Sequence, residues 1–180
     1  MRSSEQTRAA ILLAARDQFA AEGYDRATIR SIARQAGIDP AMVMRYYGNK
    51  EKLFAVAAEF DLQLPDLAKL PVTDLGTTLA RHIIVLWEKD ETLMALLRAA
   101  VTNPTATEKM RTIFAAQIGP ALLKIVEDPT TIPRRAGLLA SQVLGLALCR
   151  YILRLPPVVD LTVDDVVRWV GPTLQAYLTE

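Results

Sequence analysis

Apolar side chains recur at the spacing of a helix along most of the chain. One short stripe ends at Gly37, where a left-handed residue can close a helix, and it consists of Ile29, Ile32, Ala33 and Ala36. The next helix is predicted to begin at Pro40, because Asp39 can cap it and proline fits a first turn. No stretch shows the sustained alternation of a β-strand. We therefore expect an all-α fold.

Further helices are predicted on both sides of this corner. Ser3 and Gln6 can form a capping box that begins a helix running to Gly23. Beyond the corner, helical patterns cover residues 49–64, 74–89, 91–102, 105–127, 133–155 and 163–179. Pro65 and Pro71 interrupt the chain after the fourth helix, which indicates that a second domain begins there.

Residues 28–50 have the features of a helix-turn-helix, in which two short helices meet at a tight turn and the second enters the major groove of DNA. Thr28 can cap the first helix, and the small Ala33 lets the two helices approach closely. Residues 26–52 carry six basic and two acidic side chains, a net charge of +4, whereas the whole chain carries +1. This concentration of positive charge favours contact with phosphates. An ordinary αα-corner of a helical protein is the alternative.

Two features at the end of this segment also favour DNA binding. Tyr46 and Tyr47 follow Val43 by three and four positions, so one can pack inward while the other stays near the surface. Lys50 follows Asn49, a good helix cap, and its ammonium group can therefore join backbone N–H groups in holding a phosphate.

Residues 7–59 resemble the N-terminal DNA-binding domain of the TetR family of bacterial repressors. The matching positions are Phe19-Ala20, Gly23-Tyr24, Thr28-Ile29-Arg30, Ile32-Ala33, Ala36-Gly37-Ile38, Pro40, Val43, Tyr47, Lys50-Glu51 and Leu53. The expected architecture is a three-helix helix-turn-helix head over residues 1–48, followed by a helical ligand-binding and dimerisation domain over residues 49–180. Helix 49–64 is expected to connect the two.

The resemblance also implies roles for individual residues. Thr28 and Lys50 would contact phosphates, and Arg30 would reach toward a base edge. The full predicted DNA-binding set is Thr28, Arg30, Ala41, Met42, Arg45, Tyr46 and Lys50. Met44 stands where the family usually has tyrosine, and Tyr46 where histidine is common. Because Ala41 and Met42 offer only apolar contacts, such as that with a thymine methyl group, they do not reveal the preferred DNA sequence.

The last two predicted helices favour self-association. Helix 133–155 is apolar on nearly every side, so part of its surface can face a partner. Together with the final helix it is expected to form a four-helix contact in a twofold homodimer, as the family resemblance also implies. The predicted interface residues are Gly137, Ser141, Gly145, Leu148, Val167, Val170, Leu174 and Tyr177. The alternative is an ordinary core within one chain.

The middle helices raise the possibility of a small-molecule site, which the family commonly has there. The candidate ligand contacts are His82, Trp87, Met94, Arg98, Met110, Phe114 and Gln117, which lie on or beside apolar stripes. Few internal charges favour a largely apolar inducer. Simpler alternatives exist for three of them: Trp87 can be a core residue, His82 a hydrogen-bonded flank residue, and Arg98 can extend to solvent.

Other function classes find little support in the sequence. The only histidine and the only cysteine, His82 and Cys149, are far apart, and neither a glycine-rich phosphate loop nor a Cys/His cluster is present. We therefore expect no enzyme, no cofactor and no metal.

One cysteine excludes an internal disulfide framework. No export signal is visible, and the longest apolar stretch, residues 136–149, is too short to cross a bilayer. A cytoplasmic protein is expected.

These patterns predict a TetR-like DNA-binding transcriptional regulator, a repressor that binds a palindromic operator as a homodimer and is released by a small molecule. The expected partners are double-stranded operator DNA, a second copy of the chain and an unidentified inducer. A helical protein-interaction module, whose basic head does not bind DNA specifically, is the alternative. Steep weakening of a DNA complex by salt would distinguish the two.

Overall fold

The computed structural model describes residues 3–89 and 91–180, so the first two residues of the predicted head and residue 90 lie outside the described chain. The described chain is 80% helical and contains no strand, which confirms the predicted all-α fold. Its α-helices are α1 (Ser4–Arg26), α2 (Ile29–Ala36), α3 (Pro40–Tyr47), α4 (Lys50–Ala57), α5 (Leu75–Lys89), α6 (Glu91–Ala100), α7 (Pro104–Leu122), α8 (Ile132–Ala147), α9 (Pro156–Val159) and α10 (Val163–Thr179). A π-helical turn, Leu148–Ile152, continues α8. Within residues 3–89 and 91–180, no helix has both the length and the apolar character needed to cross a membrane.

The helices form two compact units. The first comprises Met1–Phe60 and Glu91–Met110, and the second comprises Asp61–Asp90 and Arg111–Glu180. These units are defined by packing, whereas the predicted functional domains, residues 1–48 and 49–180, remain a prediction.

An aromatic cluster lies at the centre of the first unit. The ring of Phe54 from α4 lies edge-on to Phe19 and to Tyr24 of α1, with centroid separations of 4.9 Å in both pairs. Helix α1 packs against α2, α4 and α6, so the sequence segment of α6 belongs to the same unit as the first four helices. At Gly23, φ is +78°, and the regular helical backbone is interrupted where the sequence predicts the first helix to stop. This interruption brings Tyr24 back onto the cluster.

The prediction of a helix over residues 49–64 is wrong, because α4 ends at Ala57. The following segment makes tertiary hydrogen bonds in place of helical ones. The Leu62 N–H donates to Gln117 Oε1 (2.7 Å), and the Leu62 carbonyl accepts from His82 Nε2 (2.8 Å). Leu62 and Leu67 are buried. A pattern of local apolar spacing cannot reveal partners that lie 20 and 55 residues away.

Helices α5 and α10 make the closest packing in the second unit. Gly76 of α5 lies directly against Gly171 and Gln175 of α10, and no side chain would fit between them. The Gln175 side chain fastens the start of α5, since its Oε1 accepts from the Gly76 N–H (2.7 Å) and its Nε2 donates to the Val72 carbonyl (2.7 Å). The unit is thus built on two helices in backbone contact, a feature that glycine alone permits.

Candidate nucleic-acid interface

The α2–α3 corner is fixed by local caps at each helix end. The Ser31 N–H donates to Thr28 Oγ1 and the Thr28 N–H donates to Ser31 Oγ, both at 3.0 Å, which forms a capping box at the start of α2. Gly37 closes the helix with φ +66°, and the Ile38 N–H reaches back to the Ala33 carbonyl (3.0 Å). The Asp39 carboxylate accepts from the Ala41 N–H at 2.7 Å and so caps α3. The helix-turn-helix geometry predicted from these residues is confirmed.

Helix α3 is attached to the unit along one face and exposed along the other. Val43 is completely buried, as are Ile32 and Ala33 of α2. Ala41 and Arg45 are exposed and Met42 is half-buried, so these predicted DNA-facing residues share the outer surface of α3. Thr28 and Arg30 at the start of α2 are exposed as well. Of the predicted set, the structure therefore exposes Ala41 and Arg45 on α3 and Thr28 and Arg30 at the start of α2.

Tyr46 contacts the beginning of α1. Its hydroxyl lies 3.3 Å from Ser4 Oγ, and the Arg8 guanidinium lies 5.3 Å from the centre of its ring. The Tyr47 hydroxyl donates to the Arg8 carbonyl (3.2 Å). Ser4 and Arg8 were not among the predicted site residues. No local signal could have identified them, because the contacts join positions about 40 residues apart, but they place a further cation beside the end of α3.

Lys50 is held by groups outside its own helix. Its Nζ donates to the Asp25 carbonyl (3.2 Å) and lies 4.4 Å from the centre of the Tyr24 ring. An ammonium group has three donors, so this arrangement fixes the side chain and leaves it able to donate to a further acceptor. Asn49 caps the same helix by accepting from the Lys52 N–H (2.8 Å). The cation and the start of α4 therefore lie together, as an anion site requires.

Burial raises the pKa of two supporting phenols above its ordinary value of 10.0. The pKa of Tyr24 is raised, first because the group is desolvated and second because the carboxylate of Glu51 lies nearby. The pKa of Tyr47 is raised by burial, against a smaller opposing effect of Arg8. Both hydroxyl groups therefore stay protonated at neutral pH and can donate hydrogen bonds.

Comparisons with known proteins assign both parts of the chain to one family. Residues 11–57 match the family model described as bacterial regulatory proteins, tetR family. Residues 73–178, more than half of the chain, match the model described as tetracyclin repressor-like, C-terminal domain. The chain belongs to the TetR family. It is thus a TetR-family transcriptional regulator with a helix-turn-helix of the DNA-binding type.

Solved structures of TetR-family proteins cover nearly the whole chain. A TetR-family regulator from Streptomyces coelicolor is 29% identical, with a TM-score of 0.64, and the alignment covers 100% of this chain and 98% of that one. A candidate TetR-family regulator from a Rhodococcus species is 18% identical, with a TM-score of 0.69 and coverage of 97% and 100%. One from Mesorhizobium loti is 19% identical, with a TM-score of 0.68 and coverage of 99% and 98%. The last two show the fold alone. A comparison with curated proteins returned no match.

The predicted ligand residues of this TetR-family chain are divided between the two units. Met94, Arg98 and Met110 belong to the first unit, where Met94 and Met110 are buried and Arg98 approaches the Ala20 carbonyl (3.4 Å). The other four belong to the second unit. There, His82 and Gln117 hold the backbone of Leu62, while Trp87 and Phe114 are buried. Helical spacing predicts the helix face on which each residue lies. It does not predict to which unit the helix belongs.

An apolar cavity of about 30 Å³ lies inside the second unit. Every residue lining it has an aliphatic or aromatic side chain, and among them are Leu62, Leu64, Trp87, Phe114, Leu139 and Leu178. Two of the predicted ligand contacts, Trp87 and Phe114, thus lie at its wall. Trp87 also stacks on Tyr151, with ring centroids 6.4 Å apart. The volume is enough for about one or two water molecules.

The predicted dimer residues are divided between exposed and internal positions. On α8, Gly137 and Ser141 are exposed and Gly145 is half-buried. Space is open beside both glycines. Leu148, Val167, Val170 and Tyr177 are half-buried, so part of each is accessible. Leu174, in contrast, is 1% exposed and lies in the core of its own unit. Most of the predicted set is therefore at least partly accessible, whereas Leu174 is not.

Proposed function

We propose that this TetR-family regulator is a repressor that binds a roughly palindromic operator as a homodimer and releases it when a small, largely apolar molecule binds. The observation that carries the proposal is the α2–α3 corner, whose outer helix is anchored by the buried Val43 and exposes Ala41 and Arg45. Lys50 stands nearby in sequence with its ammonium group fixed in place. Rigid presentation of an exposed helix beside a cation is what reading a major groove requires.

The DNA-binding role of Lys50 is tested by salt titration. Selection from a random duplex pool first supplies a bound sequence, and affinity for it is then measured between about 50 and 200 mM salt. We expect Lys50→Ala to lower affinity and to reduce the slope of log K against log salt by about 1.8, the effect of losing one phosphate contact from each protomer of the dimer.

Lys69→Ala provides the matched control, because it removes the same charge from an exposed position in the second unit. The control should leave the slope unchanged. Selection that enriches no sequence would contradict the proposal, and so would equal slopes for the Lys50→Ala and wild-type proteins. A nearly salt-independent complex would favour a protein-interaction module instead.

The homodimer is supported by the accessible small-residue stripe on α8 and by exposed apolar side chains. Leu138 is exposed on α8, and Trp169 on α10 is 68% exposed. Ser141→Arg places a large cation on the stripe. In sedimentation equilibrium the wild-type protein should be a dimer, and the Ser141→Arg variant should be a monomer. Ala116→Arg, also at an exposed helical position of the second unit, should not. A wild-type protein that sediments as a monomer and binds a single asymmetric half-site would contradict this part of the proposal.

A further inference from the structure

The apolar cavity of the second unit has walls of two kinds. Helices α5, α7, α8 and α10 provide most of the wall, and segment 61–67, which is non-helical as far as Asp66 and enters a 3-10 helix at Leu67, contributes Leu62, Leu64 and Leu67. At about 30 Å³, the cavity is too small for an organic molecule. For comparison, an apolar cavity that admits benzene measures roughly 150 Å³. A ligand can therefore enter only when part of the wall moves.

Segment 61–67 lacks, as far as Asp66, the regular helical hydrogen bonds of the helices around it, and the Asp66 carboxylate makes a partly exposed ion pair with Lys124 (3.4 Å). Its backbone is fastened at Leu62 by two side chains, Gln117 Oε1 at 2.7 Å and His82 Nε2 at 2.8 Å. Water can replace both of these hydrogen bonds. At Gln63 the backbone adopts φ +46°, a left-handed conformation that is unfavourable for a residue with a side chain. Moving a helix, by contrast, would separate whole packed faces.

We propose that segment 61–67 is the displaceable wall of a binding site for an uncharged molecule made mostly of hydrocarbon, an inference that rests on the proposed ligand-released function. The ligand takes the volume now filled by the leucine side chains of the segment. Since the lining is aliphatic and aromatic throughout, a carboxylate or ammonium group would lose its hydration without gaining a partner. Gln117 and His82 act as positioning residues that hold the wall closed.

Trp87 provides a direct measurement of ligand entry, because it lines the cavity. The chain has two tryptophans, so the Trp169→Phe variant retains Trp87 alone. Two brominated quenchers of similar length serve as probes, uncharged 1-bromohexane and anionic 6-bromohexanoate. We expect saturable quenching of Trp87 by 1-bromohexane, and an affinity at least tenfold weaker for 6-bromohexanoate. Equal quenching by both probes, or no saturable quenching by either, would overturn the proposal.

The affinities of variants for 1-bromohexane distinguish a displaceable wall from a rigid cavity. Gln117→Ala removes one of the two contacts that hold the wall, so 1-bromohexane should bind about 2- to 10-fold more tightly. Gln117→Glu keeps an oxygen that can accept from the Leu62 N–H and should bind more weakly than Gln117→Ala. Ala121→Phe fills the cavity and should weaken binding at least tenfold. If Gln117→Ala does not fold, His82→Phe removes the other contact and should tighten binding in the same way. A weaker or unchanged affinity in the folded contact variant would overturn the displaceable wall.

DNA binding, measured in parallel, keeps the two proposals distinguishable. Saturable hydrocarbon binding with no effect on the DNA complex would refute release by ligand and would support the site. Specific DNA binding without hydrocarbon binding would refute the site and leave the DNA-binding role standing.

Discussion

The contact between α5 and α10 allows a quantitative test of the second unit. A Cβ atom added at Gly76 would lie 2.5 Å from the Gln175 nitrogen and 2.7 Å from the Gln175 Cβ, and closer still to the Gly171 carbonyl oxygen. Most of these neighbours are backbone atoms of α10, so no side-chain rotation can relieve the clash. The two helices must move apart if Gly76 is replaced by alanine.

The expected change in stability has two opposing parts. Overpacking of this kind costs about 1–3 kcal/mol, occasionally more. Alanine in place of glycine within a helix contributes roughly 0.5–1 kcal/mol in the opposite direction. We therefore expect Gly76→Ala to lower the free energy of unfolding by about 1–2 kcal/mol. For a chain of this size, each kcal/mol corresponds to a change in Tm of roughly 2–4 °C.

Gly119→Ala is the matched control. Gly119 lies within α7, and apart from its two chain neighbours and the backbone of its own helix nothing stands within 4 Å of its added Cβ, so the change introduces no clash with another helix. Because Pro120 follows, the favourable helical contribution of the alanine is partly offset. Thermal and urea unfolding are followed by circular dichroism at one fixed protein concentration, because the stability of any protein that self-associates depends on its concentration. Gly76→Ala should unfold at a lower midpoint than both the wild-type protein and Gly119→Ala. If Gly76→Ala were as stable as Gly119→Ala, the close approach of α5 and α10 would be refuted.

Two further predictions concern polar groups of the second unit. The side chain of Arg150 is 11% exposed, and its Nη1 donates to the carbonyls of Val158, Val159 and Leu161 while its Nη2 donates to Glu88. A lysine side chain is one bond shorter and has a single nitrogen, so it cannot reach both sets of acceptors at once. Arg150→Lys should therefore cost about 1–3 kcal/mol in urea unfolding. The exposed Arg134→Lys control should stay within about 0.5 kcal/mol of wild type, and equal losses in both variants would contradict this role of Arg150. The Thr162 hydroxyl and backbone N–H donate hydrogen bonds to the Asp165 carboxylate and hold its pKa below the ordinary value of 3.8. The ionised carboxylate therefore contributes fully to stability above that pH. This contribution is lost as the pH falls through the folded-state pKa of Asp165. The free energy of unfolding should therefore decline more steeply below about pH 4 in wild type than in Asp165→Asn, and parallel curves would contradict the capping contribution.

The parts of the fold that the sequence predicted well are those determined over a few residues. The caps of α2 and α3 join residues no more than three positions apart, and Gly37 adopts the left-handed conformation expected of it. Each of these features depends on one or two neighbouring side chains. The supports of Lys50 and Tyr46 could not be predicted in the same way, because Asp25 and Ser4 are brought to them only when α1 folds against the corner.

The ends of helices were less predictable where tertiary contacts compete with helical ones. The backbone beyond Ala57 could continue as a helix until Pro65 prevents it, but Leu62 instead gives its N–H to Gln117 and its carbonyl to His82. Burial of Leu62 and Leu67 then adds apolar contacts that an extended, solvent-exposed helix would lack. Both polar side chains were predicted as ligand contacts because they lie beside apolar stripes. Each of them instead makes a hydrogen bond to the Leu62 backbone, in the segment that closes the apolar cavity. The apolar pattern of α5 and α7 does not indicate Leu62 as a partner, because Leu62 lies outside both helices.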